Sequence, residues 1–134
     1  MEVQIGEFLI SDEKLLVQAD RVHELLKNTY WAENRSLEVV KKTIENSLCI
    51  GIYKNNLLVG FARCVTDYSV VYWLCDVIID EKYRGQGLGK ALMKVISEHN
   101  DLKFLRGILA TKDAHGLYEQ YGYIHDKDTF MRKM

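Results

Sequence analysis

The chain of 134 residues contains no proline. Linkers between domains are usually rich in proline, glycine or small polar residues, and no stretch of this sequence has that composition. No low-complexity segment or internal repeat marks a boundary either. Because a chain of this length is sufficient for one hydrophobic core, the sequence predicts a single domain spanning residues 1–134.

Long apolar runs and an excess of one charge are also missing. No apolar run approaches the roughly 20 residues that a membrane-spanning helix needs. The N-terminal residues MEVQIGEFLISDEK lack the basic and apolar regions of a signal peptide. The formal net charge is −1, so no strongly basic surface for nucleic acid is expected. These absences predict a cytoplasmic protein that binds neither membranes nor nucleic acids.

Cysteine is scarce, with only Cys49, Cys64 and Cys75. The number is odd, and the spacing matches neither a CxxC pair nor a zinc site. Each cysteine lies within an apolar, strand-like run. We therefore expect reduced and mostly buried thiols.

Hydrophobic periodicity predicts a mixed fold of helices and strands. A strand is expected over residues 3–10, followed by a helix that begins after Ser11 and a second helix capped by Ser36. Strands are then expected in LCIGIYK, LLVGFARCVTD and VVYWLCDVIID, the first two joined by a turn at Asn55–Asn56. A helix from Gly87, a strand in FLRGILA, a short helix in DAHGLYEQYG and a last strand in YIHDKDTFMRKM complete the chain. This order predicts an α/β (α+β) fold with a mixed, partly antiparallel sheet flanked by helices.

Three glycines in five positions stand between two cations in DEKYRGQGLGKAL, where the third helix is predicted to begin. The first amides of a helix lack partners within it and, with the helix dipole, attract anions. Glycine lets a bulky anion approach the backbone because no Cβ intervenes. Arg84 can pair with a phosphate through its planar guanidinium, and Lys90 adds a second positive charge. The stretch therefore suits a diphosphate group.

Two familiar phosphate-binding motifs fit this stretch poorly. A Walker loop requires an earlier glycine that is missing here, and a Ser or Thr where Ala91 stands. A Rossmann fingerprint requires GxGxxG after one strand, whereas Gly85, Gly87 and Gly89 give GxGxG after several. A glycine-rich turn without a ligand is the alternative that the glycines alone leave open.

The longer stretch VIIDEKYRGQGLGKAL resembles the acyl-CoA-binding motif of the GNAT superfamily of acyl-CoA-dependent N-acetyltransferases. The family pattern is Arg or Gln, two residues, Gly, one residue, then Gly or Ala, which Arg84, Gly87 and Gly89 match. The context is similar too, with an apolar strand before the motif and an amphipathic helix after it. The resemblance covers about residues 45–125, and the segments ATKDAHGLYEQYGY, GFARCVTDY and TYWAENRS are also similar to a branch of small, single-domain bacterial members.

The resemblance implies a GNAT-like sheet with a splayed central strand pair, and acetyl-CoA as cosubstrate without a metal. The backbone around the glycines would hold the CoA pyrophosphate. The strand before them would bulge, bind the pantetheine arm and polarise the thioester carbonyl through a backbone amide. The cofactor-binding residues implied in this way are Val77, Ile78, Ile79, Arg84, Gly85, Gln86, Gly87, Leu88, Gly89 and Lys90.

The segment ATKDAHGLYEQYGY is similar to a late helix of the family in which a tyrosine follows a small residue by four positions. Ala114 and Tyr118 match this spacing, which implies that Tyr118 is the general acid that protonates the leaving CoA thiolate. A phenol of pKa about 10 can protonate a thiolate of pKa about 8.5 when the two are held close. Because no cysteine is placed to carry the acyl group, direct attack in a ternary complex is expected. Packing on the apolar face of the helix is the alternative role of Tyr118.

The attacking amine has to be neutral, but a primary amine of pKa about 10.4 is mostly protonated at pH 7. A base or a chain of waters therefore has to accept a proton. Asp76 is the main candidate for this role or for acceptor binding, because it is a carboxylate on an otherwise apolar strand just before the expected bulge. Pairing with Arg63 is its structural alternative, and Asp67, Glu33 and His115 are further candidate bases.

The segment TYWAENR follows the first helix, where the family forms one wall of the acceptor pocket. Tyr30, Trp31 and Arg35 are predicted to line that wall, where Trp31 would offer its aromatic face and Arg35 would bind a carboxylate of the acceptor. Core packing is the alternative role of Trp31, and a solvated charge at a helix cap is that of Arg35. The predicted function is transfer of acetyl from acetyl-CoA to the primary amine of a small molecule, such as an amino acid. A protein or peptide acetyltransferase and a non-catalytic acyl-CoA-binding module are the alternatives. Superfamily members often dimerise, so the resemblance allows a homodimer.

Overall fold

The computed structural model describes residues 1–133. Within them, six strands form one sheet: β1 (Glu2–Ile5), β2 (Phe8–Ser11), β3 (Leu48–Lys54), β4 (Leu57–Thr66), β5 (Val71–Ile79) and β6 (Arg106–Ile108). The helices are α1 (Ala19–Leu26), α2 (Leu37–Glu45), α3 (Leu88–Glu98) and α4 (His115–Glu119), and short 3-10 turns cover Lys14–Leu16 and Glu81–Tyr83. The predicted fold class, with a mixed sheet flanked by helices, is confirmed.

The strands lie in the sheet in the order in which they occur along the chain. Successive strands are antiparallel from β1 to β5, and β6 is parallel to β5. The β5–β6 pair is short and joins Val71–Trp73 to Arg106–Ile108. Beyond this pair, β5 continues to Ile79 with no strand partner on that side among residues 1–133. The sheet therefore opens into a slot between β5 and β6, which is the splayed strand pair that the resemblance implied.

Both faces of the sheet are covered by helices. Ile50 and Ile52 of β3 belong to the buried cluster under α3, whereas their neighbours Cys49 and Tyr53 belong to the cluster under α1 and α2. Because alternate side chains of a strand point to opposite faces, a strand covered on both sides has to be apolar at nearly every position. This explains the continuous apolar runs in the sequence. The apolar stripe predicted for α3 is buried, through Leu88, Leu92, Val95 and Ile96.

Two local signals in the sequence are confirmed. The turn between β3 and β4 is formed by Asn55 and Asn56, whose φ angles are +49° and +69°. Asparagine adopts this left-handed conformation more readily than most residues, and it matches the twist of the hairpin. Ser36 caps α2, because its hydroxyl accepts the amide of Val39 at 3.2 Å.

The prediction for the N-terminal segment was wrong in two respects. The strand expected over residues 3–10 is the hairpin β1–β2, because Gly6 adopts a left-handed φ of +56° and the chain turns back there. The helix expected directly after Ser11 begins only with α1. The Ser11 hydroxyl accepts an amide two residues on, and Asp12 bonds to the distant His99 instead of capping a helix.

The strand expected within YIHDKDTFMRKM was also wrong, since residues 124–133 form no regular element and Met134 lies outside the described residues. Asp126 accepts hydrogen bonds from the amide of Asp128 and from a nearby threonine hydroxyl, a local pattern that competes with strand pairing. The segment still packs on the sheet, because the ring of Phe130 lies 5.6 Å from that of Trp73. The last helix and strand are shorter than predicted, with five residues in α4 and three in β6.

Candidate active site

A β-bulge lies beside the slot between β5 and β6. Two consecutive residues of β5, Asp76 and Val77, stand opposite the single residue Ala62 of β4. Asp76 has a φ of +53°, a left-handed conformation that is uncommon outside glycine. A bulge leaves its extra residue outside the ladder of hydrogen bonds, and an open strand edge presents main-chain groups without partners. This part of β5 can therefore bind an extended ligand through its backbone.

The Asp76 side chain connects the bulge to β4 and to the loop after α1. Its Oδ1 accepts a hydrogen bond from Trp31 Nε1 at 3.0 Å, and its Oδ2 accepts from Arg35 Nη1 at 2.7 Å and Arg63 Nε at 2.6 Å. The side chain is only 2% exposed. Hydrogen bonds between opposite charges are the stronger kind, so this network can hold the backbone of Asp76 in its unfavourable conformation. The pair with Arg63 considered from the sequence is present, and Trp31 and Arg35 join it.

The predicted acceptor-wall residues lie together around this carboxylate. The rings of Tyr30 and Trp31 meet edge to face, with centroids 5.1 Å apart. Lys112, in the loop between β6 and α4, places its ammonium 4.9 Å from the centre of the Tyr30 ring. Tyr30 is 52% exposed and Trp31 is 44% exposed. The structure therefore brings Tyr30, Trp31 and Arg35 to one place, with two aromatic faces partly open to solvent.

Tyr118, the predicted general acid, lies on α4. Burial first, and then the nearby charges of Asp113 and Tyr30, raise the pKa of Tyr118 above its ordinary value of 10.0. Its ring meets that of Tyr123 edge to face at 6.1 Å. No hydrogen bond between the Tyr118 hydroxyl and another side chain of residues 1–133 contributes to this shift in pKa. The phenol is thus protonated at neutral pH and able to donate, and its role as the acid stays a prediction.

The glycine loop follows β5 and ends at the N-terminus of α3. Gly85 and Gly87 both have a φ of +80°, and Gly87 is the N-cap of α3 without any side-chain hydrogen bond to the first amides. A Cβ added at Gly85, Gly87 or Gly89 would meet no protein atom within 4 Å. The space around these glycines is therefore open, and the first amides of the 11-residue α3 have no side-chain cap, as is usual where a helix N-terminus accepts an anion. The loop fits the diphosphate predicted for it.

Two arginines form hydrogen bonds at the end of β5 and at the start of the glycine loop. Arg84 donates from Nε to the carbonyl oxygen of Ile79 at 3.1 Å, which leaves its two terminal nitrogens for a ligand. Arg21 of α1 donates to the carboxylate of Asp80 at 2.5 Å and to the carbonyl oxygen of Leu58 at 2.8 Å. The start of the loop is thus tied to α1 and β4. The sequence analysis did not predict a role for Arg21, because a cation next to the apolar residues of a helix is common and indicates no particular contact.

The other candidate bases are engaged elsewhere or exposed. Asp67 accepts three backbone amides in the β4–β5 turn, and these hydrogen bonds, led by that from Val70, lower its pKa. The ring of His115 packs against that of His125 in a tilted arrangement, with centroids 4.4 Å apart. Glu33 is exposed in the loop after α1. Among the four candidates, Asp76 is the one whose side chain contacts the predicted acceptor wall.

All three thiols are free. Cys49 and Cys64 are buried, and burial raises their pKa values to about 11 and about 12. Cys75 is half-buried, and burial raises its pKa as well. Thiols with raised pKa values are poor nucleophiles at neutral pH. The prediction of buried thiols is confirmed for Cys49 and Cys64.

Neither a metal cluster nor a membrane helix was found in residues 1–133. No three side chains of His, Cys, Asp or Glu in this part of the chain are grouped to hold a metal ion. No helix in it is long and apolar enough to cross a bilayer.

The sheet opens beside a bulge and leads to an uncapped helix N-terminus, an arrangement that suits an extended ligand with a diphosphate group. The family follows from the comparison of sequences. Residues 45–125 match the family model of the acetyltransferase (GNAT) domain, so the chain belongs to the GNAT family. The matched region contains the bulge, the glycine loop and Tyr118. The resemblance inferred from the glycine motif is therefore confirmed.

Known proteins similar to this chain are named as acetyltransferases. An uncharacterized N-acetyltransferase of Prochlorococcus marinus is 36% identical over 80 residues, which are 56% of this chain and 44% of that protein. An uncharacterized N-acetyltransferase of Gracilaria tenuistipitata var. liui is 32% identical over 115 residues, 80% of this chain and 62% of that protein. The chain thus spans less than two thirds of the length of these two relatives. A GCN5-related N-acetyltransferase of Arabidopsis thaliana, 27% identical, is named as chloroplastic, so a cytoplasmic location stays a prediction.

Solved structures of the same family share the fold. A protein of Xanthomonas campestris pv. campestris assigned to the GNAT family has a TM-score of 0.90 and 35% identity, covering 98% of this chain and 95% of that one. A GNAT family acetyltransferase of Elizabethkingia anophelis with acetyl-CoA bound has a TM-score of 0.68 and 19% identity, covering 91% of this chain and 80% of that one. At this identity the second likeness shows the fold alone.

Proposed function

We propose that the protein transfers the acetyl group of acetyl-CoA to the primary amine of a small molecule by direct attack in a ternary complex. The observation that carries this proposal is the bulge at Asp76 and Val77, which lies on the strand that leads to the glycine loop and whose Asp76 side chain contacts the predicted acceptor wall. Membership of the GNAT family supports the same chemistry. A homodimer is compatible with the proposal but not required by it.

The slot and the glycine loop are proposed to bind acetyl-CoA. The backbone amides from Gly85 to Lys90, together with the terminal nitrogens of Arg84, hold the pyrophosphate. The main chain of Val77–Ile79 binds the pantetheine arm as an added strand would. An amide at the bulge donates to the thioester carbonyl and stabilises the negative charge that develops on its oxygen. The uncapped start of α3 and the open space around the glycines support this assignment.

The reaction consists of one substitution at the thioester carbon. The amine nitrogen attacks this carbon, a C–N bond forms, and the tetrahedral oxyanion then collapses with loss of the C–S bond. Tyr118 donates its hydroxyl proton to the departing thiolate, and solvent restores that proton. The raised pKa of Tyr118 keeps the proton in place at neutral pH. The ammonium gives one proton to water when it becomes the neutral amine, and the nitrogen gives a second proton to water as the amide forms, so one proton is released in total once Tyr118 has been reprotonated.

Of the two roles predicted for Asp76, we favour acceptor binding. Three donors already contact its two oxygens, whereas a general base needs a lone pair directed at the amine. Asp76 instead orients the indole of Trp31 and the guanidinium of Arg35. Trp31 and Tyr30 then present aromatic faces to the acceptor, and the remaining nitrogens of Arg35 suit a carboxylate. An amino acid or a similar zwitterion fits this wall.

A peptide or protein acceptor is the second candidate. The partial exposure of Tyr30 and Trp31 favours it, since an acceptor larger than an amino acid can reach an open wall. Acetylation of free amino acids but not of short peptides distinguishes the first candidate from the second.

The test begins with calorimetric titration of the full chain with acetyl-CoA. The same sample is then assayed for thiol release with a panel of amines, amino acids and peptides. We expect micromolar binding and release that depends on the acceptor. Binding without release for any acceptor would support a non-catalytic acyl-CoA-binding module instead, and the absence of binding would refute the assignment of the slot and the loop.

A further inference from the structure

A cavity lies between α2 and β4, on the same face of the sheet as Asp76. It has a volume of about 240 Å³ and is open to solvent. Val39 and Val65 form its apolar wall, and its polar lining comes from Lys42, Thr43, Asn46, Ser47 and Arg63. We call it the Arg63 cavity. Ligand pockets for drug-sized molecules are usually larger, about 300–1,000 Å³, so the Arg63 cavity suits a part of a ligand rather than a whole drug-sized molecule.

Arg63 connects this cavity to the active site. Its Nε donates to Asp76 at 2.6 Å and its Nη1 donates to the Ser47 hydroxyl at 3.2 Å. Its side chain is only 12% exposed, and its Nη2 forms no hydrogen bond within residues 1–133. Nη2 is not among the buried polar atoms that lack a partner, so it is reached by solvent and is available to a ligand that enters the cavity. The guanidinium of Arg63 therefore contacts the carboxylate beside the bulge on one side and the Ser47 hydroxyl of the cavity on the other.

The charges around Arg63 do not balance. Two guanidinium groups, those of Arg35 and Arg63, share the single carboxylate of Asp76. Lys42 adds a further positive charge at the rim, and no acidic side chain lines the Arg63 cavity. The Ser47 hydroxyl accepts from Arg63 and so has its own proton to donate. Donors and charge at this site are both complementary to an anion.

The remaining polar residues of the lining do not change this balance. The Thr43 hydroxyl donates to the carbonyl oxygen of Val40 at 2.7 Å, and the Asn46 amide donates to that of Lys42 at 2.8 Å. The hydrogen of the Thr43 hydroxyl is thus used, whereas the Asn46 amide keeps a second N–H. The donors left for a ligand are this N–H, the ammonium of Lys42, the hydroxyl of Ser47 and the guanidinium of Arg63.

We propose that the Arg63 cavity binds a second anionic group of the acceptor, at the end remote from the amine. This inference rests on the proposed function and narrows its substrate class. The acceptor is an amine that carries an oxyanion beyond any carboxylate held by Arg35. A side-chain carboxylate and a phosphate ester share the required chemistry, and the experiment distinguishes between them.

The first measurement is binding of inorganic phosphate to the full chain. The side-chain Nε–H resonance of Arg63 reports on it by NMR, because Asp76 holds this nitrogen. The variant Lys42→Met removes the rim charge, and Lys41→Met is its matched control because Lys41 neighbours it on α2 but does not line the cavity. We expect saturable shifts in the wild type and in Lys41→Met, and a dissociation constant about three- to fivefold higher in Lys42→Met. Shifts that do not saturate, or equal affinities in all three proteins, overturn the proposal.

The second measurement compares matched acceptors by thiol release from acetyl-CoA. Glutamate is compared with glutamine, and O-phosphoserine with serine, so that only the distal charge changes within each pair. We expect the charged member of one pair to be preferred, and Lys42→Met to reduce that preference about three- to fivefold through KM while kcat is unchanged. A larger preference for glutamate over glutamine identifies the bound group as a carboxylate, and a larger preference for O-phosphoserine over serine identifies it as a phosphate.

Failure of the Arg63 cavity as a site for the acceptor and failure of the proposed transferase function give different results. Release with neutral acceptors at least as fast as with charged ones overturns the role of the Arg63 cavity and leaves the transferase intact. No release with any amine overturns the proposed function, and with it the assignment of the bound anion to an acceptor. Phosphate binding that depends on Lys42 would then identify a separate anion site.

Discussion

Replacement of Asp76 by alanine is the most informative perturbation of this structure. The carboxylate is 2% exposed, and its two guanidinium partners, Arg35 and Arg63, have side chains 22% and 12% exposed. The variant therefore leaves two largely buried cations without their counter-charge. Removing one partner of a buried ion pair typically lowers the free energy of unfolding by about 3–5 kcal/mol, far more than at the surface.

The expected change in melting temperature follows from the size of the chain. The entropy of unfolding is about 2.1 cal/mol/K per residue, which gives about 0.28 kcal/mol/K for 134 residues. A loss of about 3–5 kcal/mol therefore lowers Tm by about 11–18 °C. Asp76→Asn should lower Tm less, because asparagine tolerates the left-handed φ and keeps one carbonyl oxygen for the network.

The assay is thermal unfolding followed by circular dichroism, with Asp128→Ala as the exposed control. A second variant, Asp76→Ala combined with Arg35→Met, should recover part of the loss because one uncompensated cation is removed. A Tm of Asp76→Ala within about 2 °C of the wild type would contradict the reasoning. It would mean that water solvates the two arginines well enough to replace the carboxylate.

Three further predictions concern the proposed chemistry and the pH dependence of stability. Tyr118→Phe should lower kcat at least about tenfold with unchanged affinity for acetyl-CoA, because it removes the donated proton; equal turnover with several acceptors would refute the acid role. Gly87→Ala should weaken acetyl-CoA binding at least about tenfold by calorimetry, whereas Gly6→Ala, whose φ is also positive, should lower Tm but not affinity. Burial acts to raise the pKa of Asp12, but hydrogen bonds from the N-terminal ammonium and His99 outweigh it and lower that pKa below 3.8. The stability that Asp12 contributes is therefore present at neutral pH and lost as the pH falls below its ordinary pKa. Asp12→Asn should flatten the acid side of a plot of Tm against pH, and an unchanged slope would show that the contacts of Asp12 do not stabilise the fold.

The central part of the fold was predictable because its signals are local. The strands β3, β4 and β5 are apolar on both faces, and the residues 55 and 56 form a tight turn through their own conformational preference. The glycine loop was predictable for the same reason, since left-handed backbone at Gly85 and Gly87 favours glycine wherever the loop lies in the molecule. Such features depend on residues within a few positions of each other.

The ends of the chain were predicted less well because their structure depends on distant contacts. The N-terminal segment is held by the bond between Asp12 and His99, which are 87 positions apart. The C-terminal segment packs on β5 through Phe130 without forming a strand. Periodicity in a short window contains no information about such partners.

The sequence by itself determined the family, the position of the glycine loop, the bulged strand and the tyrosine of α4. Only the tertiary structure decided that Trp31, Arg35 and Arg63 meet on Asp76 and that Arg63 also lines a cavity. The physical reason is the range of the interactions involved. Backbone preference and apolar spacing act between near neighbours, whereas a buried carboxylate selects its donors from whichever segments the folded chain brings within hydrogen-bond distance.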